Sequence, residues 1–129
     1  MLRKKEPIRI LIVDDEPAFT RMAQMTLESS GEYIVRTTNE SPQARIVARE
    51  FKPDIILLDV VMPEADGGDV AVMLRACPST KLIPIIFVSA MVSRRESNRG
   101  LYESGGENFL AKPVDVETLR HAITQVLGY

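Results

Sequence analysis

The run Asp54-Ile55-Ile56-Leu57-Leu58-Asp59-Val60-Val61-Met62-Pro63 carries the architecture of this chain. The segment 54–59 is strand-length, and the four residues between its two acids, 55–58, are all apolar, which suits a strand buried on both faces, as in a parallel sheet. Working outward, runs of similar length occur at Ile8-Val13, Tyr33-Thr37, Ile83-Val88 and Glu107-Ala111, with amphipathic stretches between them. The pattern is βα repeated about five times, and predicts an α/β, doubly wound (βα)5 sandwich around a five-stranded parallel sheet. The second run is the least apolar and is expected at a sheet edge.

At 129 residues, with 45% hydrophobic and 26% charged side chains, the chain has the composition of one globular domain, expected over 1–129 with its core at about 8–127. Sixteen basic and eighteen acidic side chains leave a formal charge of −2, a balance that favours neither nucleic acid nor a membrane surface as a direct partner. The lone Cys77 cannot close an internal disulfide, and no Cys/His spacing offers a zinc site. The basic start Met1-Leu2-Arg3-Lys4-Lys5 lacks the apolar stretch of a secretory signal, and Ile85-Ile86-Phe87-Val88 falls far below the roughly 20 residues that span a bilayer. A cytoplasmic, soluble protein is expected.

Helix starts are marked by Pro17 after Asp14-Asp15-Glu16, by Ser41-Pro42, by the capping-box pattern Ser93-Arg94-Arg95-Glu96, and by Asp115. Val114 and Leu119 stand at hydrophobic-staple spacing around that last cap, and Val116, Leu119, Ile123 and Val126 form the helix's inner face. A helix over 94–104 is expected to be the least secure, since Gly100 interrupts it and Leu101 and Tyr102 are its only anchors.

In open α/β sheets ligands bind outside the carboxyl ends of the strands. Asp14 and Asp15 end the first predicted strand, Asp59 the third, Ser89 the fourth and Lys112 the fifth. Three carboxylates gathered there repel one another unless a hard cation joins them, and oxygen ligands suit Mg2+. One carboxylate can then attack phosphorus, while Lys112 and the Ser89 hydroxyl meet phosphate oxygens. Taken singly, Asp14 or Asp15 reads as a helix cap, Asp59 and Ser89 as turn residues, Lys112 as a surface charge and Phe109 as a core aromatic. His121 reads as a surface residue of the last helix.

Val13-Asp14-Asp15-Glu16, the 54–63 run followed by Asp66-Gly67, Val88-Ser89-Ala90, and Gly105 leading to Phe109-Leu110-Ala111-Lys112-Pro113 together resemble the receiver family of bacterial two-component response regulators. Each motif is weak alone; in register at successive strand ends they are specific. The resemblance covers residues 8–127 and implies a flavodoxin-like sheet of order 2-1-3-4-5. It implies that Asp59 is the phosphoacceptor and that Asp15, Asp59 and the backbone carbonyl of Val61 hold Mg2+, with Asp14 helping through water. It implies further that Lys112 contacts the phosphoryl group through a loop with a cis Lys112-Pro113 bond, and that Ser89 and Phe109 pass the signal to an output face at 94–127. The implied partners are a sensor histidine kinase or histidine phosphotransfer protein upstream, an unidentified output protein or domain downstream, and a second copy in a phosphorylation-dependent dimer. The chain would promote only its own phosphorylation and dephosphorylation, as a stand-alone receiver or a portion of a longer protein.

A phosphatase of the haloacid-dehalogenase type would want a second Asp two residues after the nucleophile, where Val61 stands. A flavin carrier would want a glycine- or hydroxyl-rich loop where Asp14-Asp15-Glu16 stands. A module that keeps the fold without phosphotransfer would not need the acids, Ser89 and Lys112. By the same resemblance Val61 and Met91 match family positions flanking the path of attacking water; both are apolar and cannot activate it, so a long-lived phosphoryl group is expected.

Overall fold

The buried strands and amphipathic helices assemble into a doubly wound sheet in the computed structural model, which describes residues 6–60, 67–90 and 100–128. Its strands are β1 (Ile8–Val13), β2 (Tyr33–Thr38), β3 (Ile55–Asp59), β4 (Ile85–Ser89), β5 (Tyr102–Ser104) and β6 (Glu107–Ala111), in the spatial order β2-β1-β3-β4-β6-β5. Among the described residues the helices are α1 (Pro17–Glu28), α2 (Ala44–Phe51), α3 (Gly67–Arg75) and α4 (Val116–Leu127).

Every residue of β3 and β4 is buried, which is the physical reason those strands carry no polar alternation. Ile55 and Leu57 point into one core with Ile10, Val35, Leu27 of α1, and Leu119 and Ile123 of α4. Ile56 and Leu58 point into the other with Leu11, Phe51 of α2, and Val70 and Leu74 of α3. Helices therefore cover both faces, and the C-terminal ends of the parallel strands line up along one margin of the sheet, a shelf between the two helical layers. The Asp115 carboxylate caps α4 by accepting from the Thr118 N–H at 2.8 Å, and Val114 and Val116 pack against the first core.

Five strands in the order expected are present, with β2 at an edge, but a sixth extends the sheet. β5 runs antiparallel to β6, with Tyr102 opposite Phe109 and Ser104 opposite Glu107. This corrects the expected helix over 94–104: its last three residues are a strand. Gly105 and Gly106 both adopt positive φ, 59° and 82°, as a two-residue hairpin turn requires, and Tyr102 stacks on Phe109 at 5.5 Å between centroids. Residues 94–99 of that predicted helix, with its capping box, lie outside the described residues. Strand β4 starts at Ile85, not Ile83, because Pro84 has no N–H to donate and the Ile83 N–H closes a turn onto the Thr80 carbonyl. No helix among the described residues is long and apolar enough to cross a membrane.

Candidate functional site at the carboxyl ends of the strands

Asp59 is the last residue of β3, and Asp14 follows directly on β1, its neighbour in the sheet. Parallel pairing in register brings the two side by side at one level of the shelf. Carboxylate oxygens of Asp14, Asp15 and Asp59 lie within 4.8 Å of one another, Asp14 and Asp59 buried and Asp15 partly exposed. Hard oxygen donors at this spacing fit a small divalent cation. Val61, whose carbonyl is the remaining expected ligand, lies outside the described residues, as does Met91.

Lys112 enters from beyond β6. Its N–H donates to the Ser89 carbonyl at 3.0 Å, tying the ends of β6 and β4 together, and its bond to Pro113 is cis. The ammonium lies 2.7 Å from Asp14 Oδ2, 2.8 Å from Glu16 Oε1 and 3.8 Å from Asp59 Oδ2, and 4.7 Å from the centre of the Phe19 ring. Burial pushes the Asp14 carboxyl up from its ordinary value, and the hydrogen bonds from Lys112 and the Glu16 N–H only partly offset this. Burial opposes the Lys112 charge as well, but Asp14 and Glu16 outweigh it and hold the ammonium above its ordinary pKa. Lys112 in turn draws the exposed Glu16 carboxyl down.

Four partners of this site were not picked out by sequence reasoning. Glu16 stood there as the last residue of the acidic motif before Pro17, with no role of its own, yet it shares Lys112 with Asp14. Phe19 sits in the first turn of α1, against the ammonium. Asn39 donates its amide to the Asp14 carbonyl at 2.8 Å and to Thr20 Oγ1 at 3.0 Å, fastening the end of β1 to α1. Gly67 opens α3 against the backbone of the phosphoacceptor candidate: its N–H donates to the Val60 carbonyl at 2.7 Å, and a Cβ there would collide with the Asp59 carbonyl oxygen. Of the four, Glu16 and Gly67 stood within the motifs that carry the resemblance, whereas Phe19 and Asn39 carried no signal.

Ser89 is buried at the end of β4. Phe109 is half-buried on β6 with its ring between Phe87 at 5.4 Å and Tyr102 at 5.5 Å, so a stack of three aromatics runs from the core to the β5 edge. His121 is exposed on α4, away from the shelf.

Comparison with known proteins agrees with this geometry. Residues 10–124 match the family model described as response regulator receiver domain. Response regulator PleD of Caulobacter vibrioides is 42% identical over 107 residues, covering 83% of this chain but 23% of that protein, so the chain spans under a quarter of PleD's length. Protein PilH of Pseudomonas aeruginosa is 37% identical over 93% of this chain and 98% of its own. Among solved structures, chemotaxis protein CheY4 of Vibrio cholerae superposes with a TM-score of 0.79 at 27% identity, over 94% of this chain and 99% of that one.

Proposed function

The chain belongs to the response regulator receiver family of two-component signalling, and from that membership we propose that it works as a phosphorylation switch with Asp59 as the phosphoacceptor. The observation that carries this reading is the buried Asp59 carboxylate at the end of a central strand, with two more carboxylates within 4.8 Å and the Lys112 ammonium at 3.8 Å. A carboxylate is a weak nucleophile toward a charged phosphoryl donor, because the two repel; local positive charge removes that barrier.

Asp14, Asp15 and Asp59 would hold Mg2+, with the Val61 carbonyl as a further ligand, and the ion supplies positive charge to the phosphoryl oxygens. The remaining work falls to the chain. An Asp59 carboxylate oxygen attacks phosphorus, the phosphorus–nitrogen bond of a phosphohistidine donor breaks, and its electron pair stays on the imidazole. Lys112 neutralises one phosphoryl oxygen and the Ser89 hydroxyl donates to another. The phosphoryl group adds roughly two negative charges at pH 7, and Ser89 and Phe109 repack in response, altering the face that includes β5, β6 and α4. The donor is a sensor histidine kinase or a histidine phosphotransfer protein, the output is a protein or domain that prefers one of the two packings, a phosphorylation-dependent dimer is one form it can take, and the setting is the cytoplasm.

Intact-mass measurement after incubation with acetyl phosphate and Mg2+ tests the reading. One phosphoryl addition is expected, absent in Asp59→Asn. No addition, or undiminished addition to Asp59→Asn, refutes it.

A further inference from the structure

The two edge strands of the sheet, β2 and β5, differ in what they could offer another strand. The β5 edge is three residues long and ends in the Gly105-Gly106 turn, too short to template much pairing. The β2 edge is six residues long and parallel to β1. Its hydrogen-bonding parity follows from the two ends of the ladder, where the Ile8 N–H donates to the Glu32 carbonyl and the Asp14 N–H to the Thr38 carbonyl. Even-numbered residues of β2 thus turn their backbone groups toward β1, and Tyr33, Val35 and Thr37 turn theirs outward.

Val35 is the middle of those three, and both of its outward groups are occupied by side chains of α1. Its N–H donates to Glu28 Oε2 at 2.9 Å, and its carbonyl accepts from Gln24 Nε2 at 3.0 Å. Gln24 and Glu28 are one helical turn apart and reach over the edge together. An acceptor placed at the N–H and a donor placed at the carbonyl reproduce what a neighbouring strand would offer.

We propose that Gln24 and Glu28 are an edge guard, which keeps β2 from pairing antiparallel with β2 of a second copy of this chain. The self-complementary partner follows from the parity. With Val35 on a two-fold axis, its N–H and carbonyl meet the carbonyl and N–H of the other Val35, and Tyr33 faces Thr37 reciprocally. The same register sets Ile34, 38% exposed, opposite Arg36 of the other copy, whose aliphatic stem would cover it. Gln24 and Glu28 fill the positions which that two-fold needs. The proposal does not depend on phosphotransfer.

The test is sedimentation velocity over a wide concentration range, with amide hydrogen exchange at Val35, on the unphosphorylated chain and on Gln24→Ala/Glu28→Ala. The wild type should stay monomeric, with a Val35 amide whose protection is independent of concentration. The double variant should show that amide exchanging faster when dilute, regaining protection as concentration rises, and a doubling of weight-average mass. Adding Thr37→Pro, which removes an outward N–H and none that faces β1, should abolish the doubling. A folded double variant that stays monomeric at every concentration overturns the proposal, as does a wild type that dimerises through a protected Val35. Should the double variant unfold, Glu28→Ala alone exposes the Val35 N–H and decides by the same two readouts.

Discussion

Replacing Gly67 with alanine tests whether the start of α3 is what sets the backbone of Asp59. A Cβ at residue 67 lies within hard-contact distance of the Asp59 carbonyl oxygen, 2.9 Å from Val60 Cα and 3.1 Å from the Asp59 carbonyl carbon. Carbon pairs are most stable at about 3.5 Å or beyond, so the helix start and the end of β3 must separate by roughly half an ångström or more. None of the opposing atoms belongs to a side chain that could swing aside. Overpacking of this kind costs about 1–3 kcal/mol. Separation also stretches the 2.7 Å bond from the Gly67 N–H to the Val60 carbonyl, and losing it costs about 1 kcal/mol. Alanine returns up to about 1 kcal/mol of helix propensity, less at the first turn than in mid-helix.

The net expectation is a loss of about 2 kcal/mol, which for a domain of this size lowers Tm by about 6–10 °C. Since the displaced atoms are those of the proposed nucleophile, acetyl phosphate labelling should slow about 10- to 100-fold in the same variant. Urea titration and intact-mass kinetics measure the two effects. Gly100→Ala is the control, because a Cβ there meets nothing within 4 Å among the described residues. Unchanged urea midpoint and labelling rate in Gly67→Ala would refute the reasoning; slowed labelling at unchanged stability would leave the packing argument wrong and the positioning argument standing.

Lys112→Met removes the 2.7 Å partner of the buried Asp14 carboxylate, and should destabilise the chain by about 3 kcal/mol in divalent-free buffer; saturating Mg2+ should return part of the loss in a thermal melt, and no recovery would argue against the acidic cluster as a cation site. Arg75 grips Glu107 with two hydrogen bonds of 2.7 and 2.8 Å at a site where both side chains are partly exposed, so a double-mutant cycle with alanine should give about 0.5–1 kcal/mol of coupling at pH 7. Because Arg75 holds the Glu107 carboxyl below its ordinary value of 4.5, that coupling is present above this pH and fades as acid protonates Glu107; urea melts at neutral and acid pH measure it. Val61→Asn with Met91→Glu should shorten the lifetime of phosphorylated Asp59, followed by loss of the phosphorylated mass after donor removal, if apolar side chains at those positions shield it from water.

How much could be read from residues alone depended on whether the signal was local. Asp14, Asp59, Ser89 and Lys112 were legible because each follows an apolar run, and a parallel sheet carries all such positions to one end. The edge position of β2 was legible because its sequence is the least apolar of the strand runs, and only Tyr33 and Val35 in it are buried. Glu16 and Phe19 were not, since their contact with Lys112 joins residues 96 and 93 positions apart and depends on how α1 leans over the shelf. The β5 strand is a different case. Its Gly105-Gly106 turn is a strong hairpin signal in the sequence, and the weak anchors of the expected helix concealed it. Tertiary pairing with Phe109 decided the matter, overriding local propensity.

The geometry of Lys112 also bears on which contact yields when charge arrives at Asp59. The ammonium stands 3.8 Å from Asp59 Oδ2, about an ångström beyond its contacts to Asp14 and Glu16. A dianionic group on Asp59 would draw it across that gap, and with the Lys112 backbone held by its N–H to the Ser89 carbonyl, that movement comes at the expense of one of its two present short contacts. The Asp14 side chain is 2% exposed and would lose its short ammonium contact in a buried site, whereas the Glu16 side chain is 62% exposed and recovers hydration once released. The cheaper contact to give up is therefore Glu16. On the proposed reading, the exposed acid before α1 holds Lys112 at rest and lets it go on phosphorylation, while Asp14 keeps its hold in both states. The Lys112 N–H also fixes the end of β6 to β4, so on the same reading a shift of its backbone would be passed to Ser89 directly and to the Phe109 stack along β6.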